Sequence, residues 1–374
     1  MGKKVLVTGG AGFIGSHLVD RLVDLGHEVR VFDSLEPQVH GKVDTPPEYL
    51  SKKCDFIRGD LRNREELRRA LKGIEVIFHQ AALVGVGQSM YEIKRYMEIN
   101  SLGTANFLDI LANEKHSTEK LIVASSMSIY GEGKYSCKAC GLVYPKLRSR
   151  EQLRRQEWEM VCPICGKPAK DLPTDEEKPL FPTSTYAISK RDQEELCLTM
   201  GWAYGIPTIA LRYFNAYGPR QALSNPYTGV AAIFSSRILN NNPPLIFEDG
   251  HQSRDFIHVS DVVEANLLAM EKDEADYEAL NVGTGRASTV LDVAGLLAKK
   301  LNSSIHAEIV KKYRLGDIRH CYADISKIKE KLGFEPKVRF EDGILELAEW
   351  VRTQEATDQF EKSRRELEER SLIG

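Results

Sequence analysis

Two groups of residues in this 374-residue chain have types and spacings that can do chemistry. The first is Tyr186-x-x-x-Lys190, in "TSTYAISKRDQEEL". On a helix these positions lie one turn apart on the same face. An ammonium beside a phenol stabilises the phenolate and lowers the tyrosine pKa toward working pH, which suits a catalytic proton acceptor. The second group is a pair of Cys-x-x-Cys knuckles, Cys137 with Cys140 and Cys162 with Cys165. Their separation is close to that of a zinc ribbon, and four thiolates close a tetrahedral shell with no position left for water. Such a metal is structural. The competing reading is two unrelated cysteine pairs or a disulfide.

An isolated Y-x-x-x-K arises often by chance, so its meaning depends on the elements that place it. "KKVLVTGGAGFIGSHLVDRLVDLGHEVRVFD" reads as a strand (Val5–Thr8), a glycine turn, a helix with Leu18, Leu22 and Leu25 on its inner face, and a second strand ending at Asp33. Gly9, Gly12 and Gly15 fall at the strand-to-helix junction. Glycines there allow a tight turn and close approach of a pyrophosphate, whose charge the helix N-terminus then meets. Asp33 would bind the adenosine ribose hydroxyls and repel a 2′-phosphate, which favours NAD over NADP. Further strands end at Asp60 in "CDFIRGD", at Ala81–Ala82 in "EVIFHQAA" and at Ser125–Ser126 in "EKLIVASS". This alternation predicts an α/β fold, a Rossmann-type doubly wound parallel sheet, with ligands at the carboxyl ends of the strands. His79, in an apolar strand end, reads as a packed histidine without a catalytic role.

Composition narrows the classes. A net charge of −3 gives no bulk attraction to nucleic acid or to an anionic membrane. No apolar run approaches the roughly 20 residues that span a bilayer. The opening "MGKKVLVTGG" lacks a secretory apolar region, and seven cysteines with four in close pairs suit a reducing compartment, so a cytoplasmic location is expected.

Taken together, "TGGAGFIGS", "HQAA", Asn100 in "EINSLGT", "SSMSIYG", "YAISK", "RYFNAYGP", "RDFIHVSD", "NVGTG" and "RLGDIRHCYADISK" resemble the extended short-chain dehydrogenase/reductase family, in particular its nucleotide-sugar epimerases and dehydratases. The resemblance covers most of the chain. It implies Ser126, Tyr186 and Lys190 as the catalytic set. Tyr186 takes a proton from a sugar hydroxyl, Ser126 hydrogen-bonds that oxygen, and Lys190 holds the nicotinamide ribose. It implies an NAD cleft lined by Gly9, Gly12, Phe13, Ile14, Gly15, Asp33, Asp60, Leu61, Ala81, Ala82 and Asn100. It also implies a nucleotide-diphosphate sugar held by Ser126, Met127, Ser128, Asn215, Arg220, Arg254 and Arg314, with Arg319 a weaker candidate. Guanidinium presents a planar fork of donors to phosphate oxygens. Ser89, Met90 and Tyr91 fall where relatives line the sugar pocket.

Dehydratase relatives carry Asp-Glu directly after the Ser/Thr, where this chain has Met127-Ser128. Neither exchanges a proton near neutral pH, so the expected reaction is 4-epimerisation through a transient 4-keto sugar. A UDP-glucose/UDP-galactose 4-epimerase and a dehydratase with relocated acids are the nearest rivals. A non-catalytic NAD-sensing or nucleic-acid-binding protein is a different class, against which the intact Ser126/Tyr186/Lys190 set and the slightly acidic balance both argue.

The expected organisation is an NAD-binding domain (residues 1–218 and 256–283), a nucleotide-sugar-binding domain (219–255 and 284–350) and a charged, solvated terminal helix (351–374). Relatives join the Ser and Tyr of the catalytic set by a shorter loop, so residues 132–176 form an insertion. Its cysteines would hold a structural zinc that staples a flap beside the sugar pocket. Ser149-x-x-Gln152 reads as a capping box opening a helix over 150–160. Arg148, Arg150, Arg154 and Arg155 are expected to be solvated. The resemblance further implies a homodimer.

Overall fold

Successive side chains of a strand point to opposite faces, so strands apolar on both faces need helices on both sides. The computed structural model, which describes residues 2–374, has that arrangement. Its seven parallel strands are β1 (Lys4–Thr8), β2 (Glu28–Asp33), β3 (Asp55–Arg58), β4 (Val76–His79), β5 (Lys120–Ser126), β6 (Thr208–Tyr213) and β7 (Ala279–Val282). They run in the order β7-β6-β5-β4-β1-β2-β3. The order reverses between β1 and β4, which opens a crevice at the carboxyl ends of the strands. β3 stops at Arg58 and β4 at His79. Asp60 and Ala81–Ala82 therefore sit in the loops just past the strand ends, not on the strands as expected.

Val5, Val7, Phe78, Ile122, Ile209 and Leu211 fill one face of the sheet. Leu6, Ile77, Leu121, Val123 and Ala210 fill the other. Burying each large aliphatic side chain contributes about 1.5–3 kcal/mol. Helix α1 (Phe13–Asp24) covers the first face with Leu18, Val19 and Leu22. Leu25 lies beyond the helix at its C-cap and is 48% exposed, so the expected apolar stripe ends at Leu22. Helix α2 (Thr185–Tyr204) lies over the second face, with Cys197 in the core. A separate core around Phe234, Ile246, Val293, Leu297, Ile344 and Leu347 joins three helices, Val230–Leu239, Val290–Lys300 and Phe340–Val351. Among the described residues no helix is long and apolar enough to cross a membrane.

Between β5 and α2 the chain forms a three-stranded antiparallel sheet from Lys134–Cys137, Gly141–Val143 and Lys170–Leu172. Each knuckle ends in a glycine with positive φ, Gly141 at 74° and Gly166 at 71°, a conformation that costs a residue without a Cβ little. The helix expected over 150–160 is only Arg150–Arg154. Ser149 caps it by accepting from the Gln152 N–H, but the Gln152 side chain donates onward to the Glu157 and Glu159 carbonyls and not back to the cap. Gln156, at φ 58°, then turns the chain out of the helix.

The chain end also differs from expectation. Helix α3 spans only Phe360–Glu369, and it is docked: Phe360, Ser363 and Leu367 are buried. Phe360 packs with Leu245 and Phe247.

Candidate active site

The crevice is a cavity of about 620 Å³ that runs from the first glycine turn to the C-terminal half. Gly9, Gly12, Phe13, Ile14, Gly15, Asp33, Asp60, Leu61, Ala81 and Ala82 all line its dinucleotide end. Gly9 has φ 69°, and a Cβ there would meet the Ala81 backbone at 2.8 Å. The close approach of the two strand ends thus demands glycine. Asp33 ends β2 with each carboxylate oxygen accepting one amide, from Ala11 at 3.0 Å and from Leu35 at 2.8 Å. Burial raises its carboxyl above the usual range, against the pull of those amides. Each oxygen keeps a second lone pair for a ligand hydroxyl. These residues fit a dinucleotide.

At the middle of the cavity β5 delivers Ser126 and the first turn of α2 delivers Tyr186 and Lys190. Ser126 Oγ accepts from the Ser128 N–H at 3.2 Å and is the side chain that favours ionisation of the Tyr186 phenol. The Tyr186 N–H donates to Ser89 Oγ at 3.0 Å, which fixes the start of the helix. Burial pushes the phenol up, and the Ser126 hydroxyl opposes that shift. The expected lowering of Tyr186 by Lys190 is not found. Burial instead brings the Lys190 ammonium down to about 8, and its Nζ is held by the Ala124 carbonyl and, at 2.6 Å, by Gln193 Oε1.

The supports of this set were not read from the sequence. Glu194, one residue after Gln193, accepts from Ser125 Oγ at 2.6 Å and from the Arg212 guanidinium at 2.6 Å, tying α2 to β5 and β6. The spacing Lys190, Gln193, Glu194 puts all three on one helical face, which is the signal that could have found them. His79 is packed, as expected, but between side chains: Thr8 Oγ1 at 2.9 Å and Thr104 Oγ1 at 2.8 Å.

Three assignments need correction. Asn100 is fully buried and does not line the cavity. It brackets the Leu83 backbone, accepting its N–H at 2.8 Å, and donates to Ser189 Oγ at 2.9 Å, so it holds the cavity loop against α2. Arg220, at φ 67°, turns away from the cavity to pair with Asp20 of α1 at 2.7 Å. Arg319 is completely buried among Glu159, Glu248 and Asp249. Of the other candidates, Met127, Ser128, Asn215, Arg254 and Arg314 line the cavity. Asn215 Oδ1 and Ser128 Oγ are buried without a hydrogen-bond partner, as acceptors awaiting a ligand would be. Arg254 donates only to the carbonyls of Ser253, Ile318 and Arg319. Arg314 pairs with Asp317 at 2.8 Å and stacks on Phe247. Met90 lines the cavity, whereas Ser89 and Tyr91 support it from outside.

The insertion contributes no wall. Arg148 is buried, not solvated, and forms a two-pronged pair with Glu248, each bond 2.8 Å; it also donates to the carbonyl of Asp317, which lines the cavity. The insertion is thus a brace behind the arginine wall and not a flap over the sugar. Arg150, Arg154 and Arg155 are exposed, as expected. The four cysteine Sγ atoms lie within 4.8 Å of one another, with Cys137 and Cys165 at 3.6 Å. Tetrahedral zinc–thiolate bonds of about 2.3 Å require sulfurs about 3.8 Å apart, so the donor set and spacing fit zinc.

The pattern defining the NAD dependent epimerase/dehydratase family matches residues 5–147, and that of GDP-mannose 4,6 dehydratase matches residues 164–347. A dTDP-L-rhamnose 4-epimerase of Burkholderia thailandensis is 33% identical, covering 94% of this chain and 95% of its own. The chain belongs to the NAD-dependent epimerase/dehydratase family. Solved structures agree. A UDP-glucose 4-epimerase of Thermotoga maritima with UDP-glucose superimposes with a TM-score of 0.73 at 34% identity, over 93% of this chain and 98% of that one. A UDP-glucose 4-epimerase of Thermus thermophilus in complex with NAD gives 0.74 at 30% identity, over 94% and 100%. As a member of this family the protein is an enzyme of NAD-dependent nucleotide-sugar chemistry. The two family patterns leave residues 148–163 unmatched, and these lie inside the insertion.

Proposed function

We propose that the protein is a nucleotide-sugar 4-epimerase acting on dTDP-L-rhamnose, with NAD retained in the cleft and a structural zinc at Cys137, Cys140, Cys162 and Cys165. The observation that carries 4-epimerisation over dehydration is the distribution of acids. Among the described residues the carboxylates lining the cavity are Asp33, Glu36, Asp60 and Asp317. Three belong to the dinucleotide end, and Asp317 is committed to Arg314. Elimination across neighbouring carbons needs a free acid and base at the sugar, and Met127 and Ser128 supply neither.

NAD bound in the cleft would take hydride from the sugar C4 and return it to the other face of the resulting 4-keto sugar. Tyr186 accepts the C4 hydroxyl proton and later gives it back. Ser126, which lines the cavity with Tyr186, orients the same oxygen. Lys190, movable from its Gln193 contact, would hold the nicotinamide ribose and place a positive charge behind the phenol. Arg254, Arg314 and Asn215 would bind the diphosphate and sugar. A reducing cytoplasm suits seven cysteines of which none is in a disulfide. The homodimer is what the family resemblance implies.

The sugar choice is supported by the likeness of "LEPQVHG", "VGVGQSMYEI", "SSMSIYGEG" and the cysteine insertion to dTDP-L-rhamnose 4-epimerases, in line with the Burkholderia relative. The likeness to epimerases of UDP-glucose favours a second reading, UDP-glucose/UDP-galactose. Incubation with a panel of dTDP- and UDP-sugars, without added NAD, decides between them: a C4-inverted product from dTDP-L-rhamnose is expected. Turnover of UDP-glucose alone would replace the proposed substrate, and a dehydrated product would replace the reaction.

A further inference from the structure

The C-terminal helix α3 lies past residue 347, where the match to the family pattern ends. Phe360, Ser363, Arg364 and Leu367 line the cavity, a 0, 3, 4, 7 spacing that puts one face of the helix on it. We propose that Arg364 is a substrate-binding residue, carried across the cavity mouth by α3 to bind the diphosphate of the nucleotide sugar. The inference rests on the nucleotide-sugar reading and adds a ligand to it.

The helix spans the mouth. At one end Phe360 packs with Leu245 and Phe247, and the Phe247 ring lies under the Arg314 guanidinium at 4.8 Å. At the other end the methyl groups of Leu367 approach Gly87, in the short helix Val86–Ser89 that lines the cavity after β4. Arg364 falls between the two, one turn from each. The outer face is latched on both sides of the crevice. Glu366 accepts from Tyr91 at 2.7 Å and from Tyr227 at 2.5 Å. Arg237 faces Asp358 at 3.4 Å and Glu361 at 3.3 Å. The last residues run beside the arginine wall, where Leu315 N–H donates to Leu372 and Tyr313 N–H to Gly374.

Within this frame the Arg364 guanidinium is underused. Glu361 lies 3.3 Å away and Glu368 3.6 Å, but each also faces another cation, Arg237 or Lys312. Arg364 Nε is buried with no hydrogen-bond partner. Arg254 spends its donors on carbonyls and Arg314 is paired with Asp317. Arg364 lines the same cavity as Arg254 and Arg314, and its planar fork, once drawn from carboxylates that other cations share, fits a doubly charged diphosphate.

Calorimetric titration of UDP and dTDP into the NAD-loaded wild type, Arg364→Ala and Arg364→Lys tests this, with melting temperature and retained NAD as checks on folding. Arg364→Ala is expected to weaken the better-bound nucleotide about tenfold. Arg364→Lys, which keeps the charge but not the fork, should recover only part of that loss, and the difference from wild type should shrink at high salt. Equal binding by wild type and Arg364→Ala would overturn the inference and leave the nucleotide-sugar reading standing. Equal weakening in both variants with a lowered melting temperature would assign Arg364 to packing and overturn it too. Failure of the wild type to bind either nucleotide would remove both.

Discussion

Tyr186 rests as a neutral phenol. Burial holds its pKa up, and the neighbouring lysine, itself brought down to about 8 by burial, is turned toward Gln193. In this arrangement burial favours the protonated phenol, and a Lys190 ammonium brought nearer, with the positive charge of an oxidised nicotinamide, would favour the phenolate. Tyr186→Phe should lower kcat about a thousandfold while NAD stays bound; single-turnover assays with absorbance of the retained cofactor check it, and a loss below tenfold would remove Tyr186 from the role. The Tyr186/Lys190 spacing was legible in the sequence because helical periodicity puts the pair on one face. Its partners Ser89 and Ala124 were not, since only the fold brings them close. His79 makes a pH prediction. Burial lowers its pKa to about 3, so it stays neutral in the fold while the unfolded chain takes up a proton below about 6.5. Stability is then lost as pH falls through that window, by about 1.4 kcal/mol per pH unit once well below 6.5. His79→Gln should show a shallower acid limb, by about one proton, in denaturant unfolding at a series of pH values; an unchanged slope would mean that His79 does not titrate on unfolding.

Among the elements, the cysteine insertion shows what spacing can and cannot reveal. The two knuckles were legible, since ligand spacing is local. The attachment was not: Arg148 finds Glu248, and Glu159 finds Arg319, across long stretches of chain. A charged run that reads as solvated is in part a buried clamp behind the cavity. Arg148→Ala leaves Glu248 buried with only Arg319 at 3.1 Å, and should cost about 3 kcal/mol of stability by denaturant unfolding. A cost below about 0.5 kcal/mol would place the pair at the level of a surface contact. Elemental analysis of freshly reduced protein should find about one zinc per chain. Cys162→Ser should lose that metal and melt earlier with NAD still bound; full metal retention would contradict four-cysteine coordination.

At the scale of the whole molecule, the parallel sheet and its crevice were readable because each strand and each glycine turn carries its own pattern. The closure of the crevice was not. Residues 351–374 hold too few apolar side chains to read as an amphipathic helix alone, and the partners of Phe360 and Leu367 lie on distant segments, at Leu245, Phe247 and Gly87. The assembled cavity joins a dinucleotide end, a Tyr/Ser/Lys centre and an arginine-lined end without a free acid at the sugar, and this layout predicts a hydride that leaves C4 and comes back. The direct measurement is turnover of the nucleotide sugar deuterated at C4, in water and without external NAD. Essentially all the deuterium should remain at C4 of the inverted product. Loss of the label to solvent, or its recovery at C6 of a dehydrated sugar, would contradict the account.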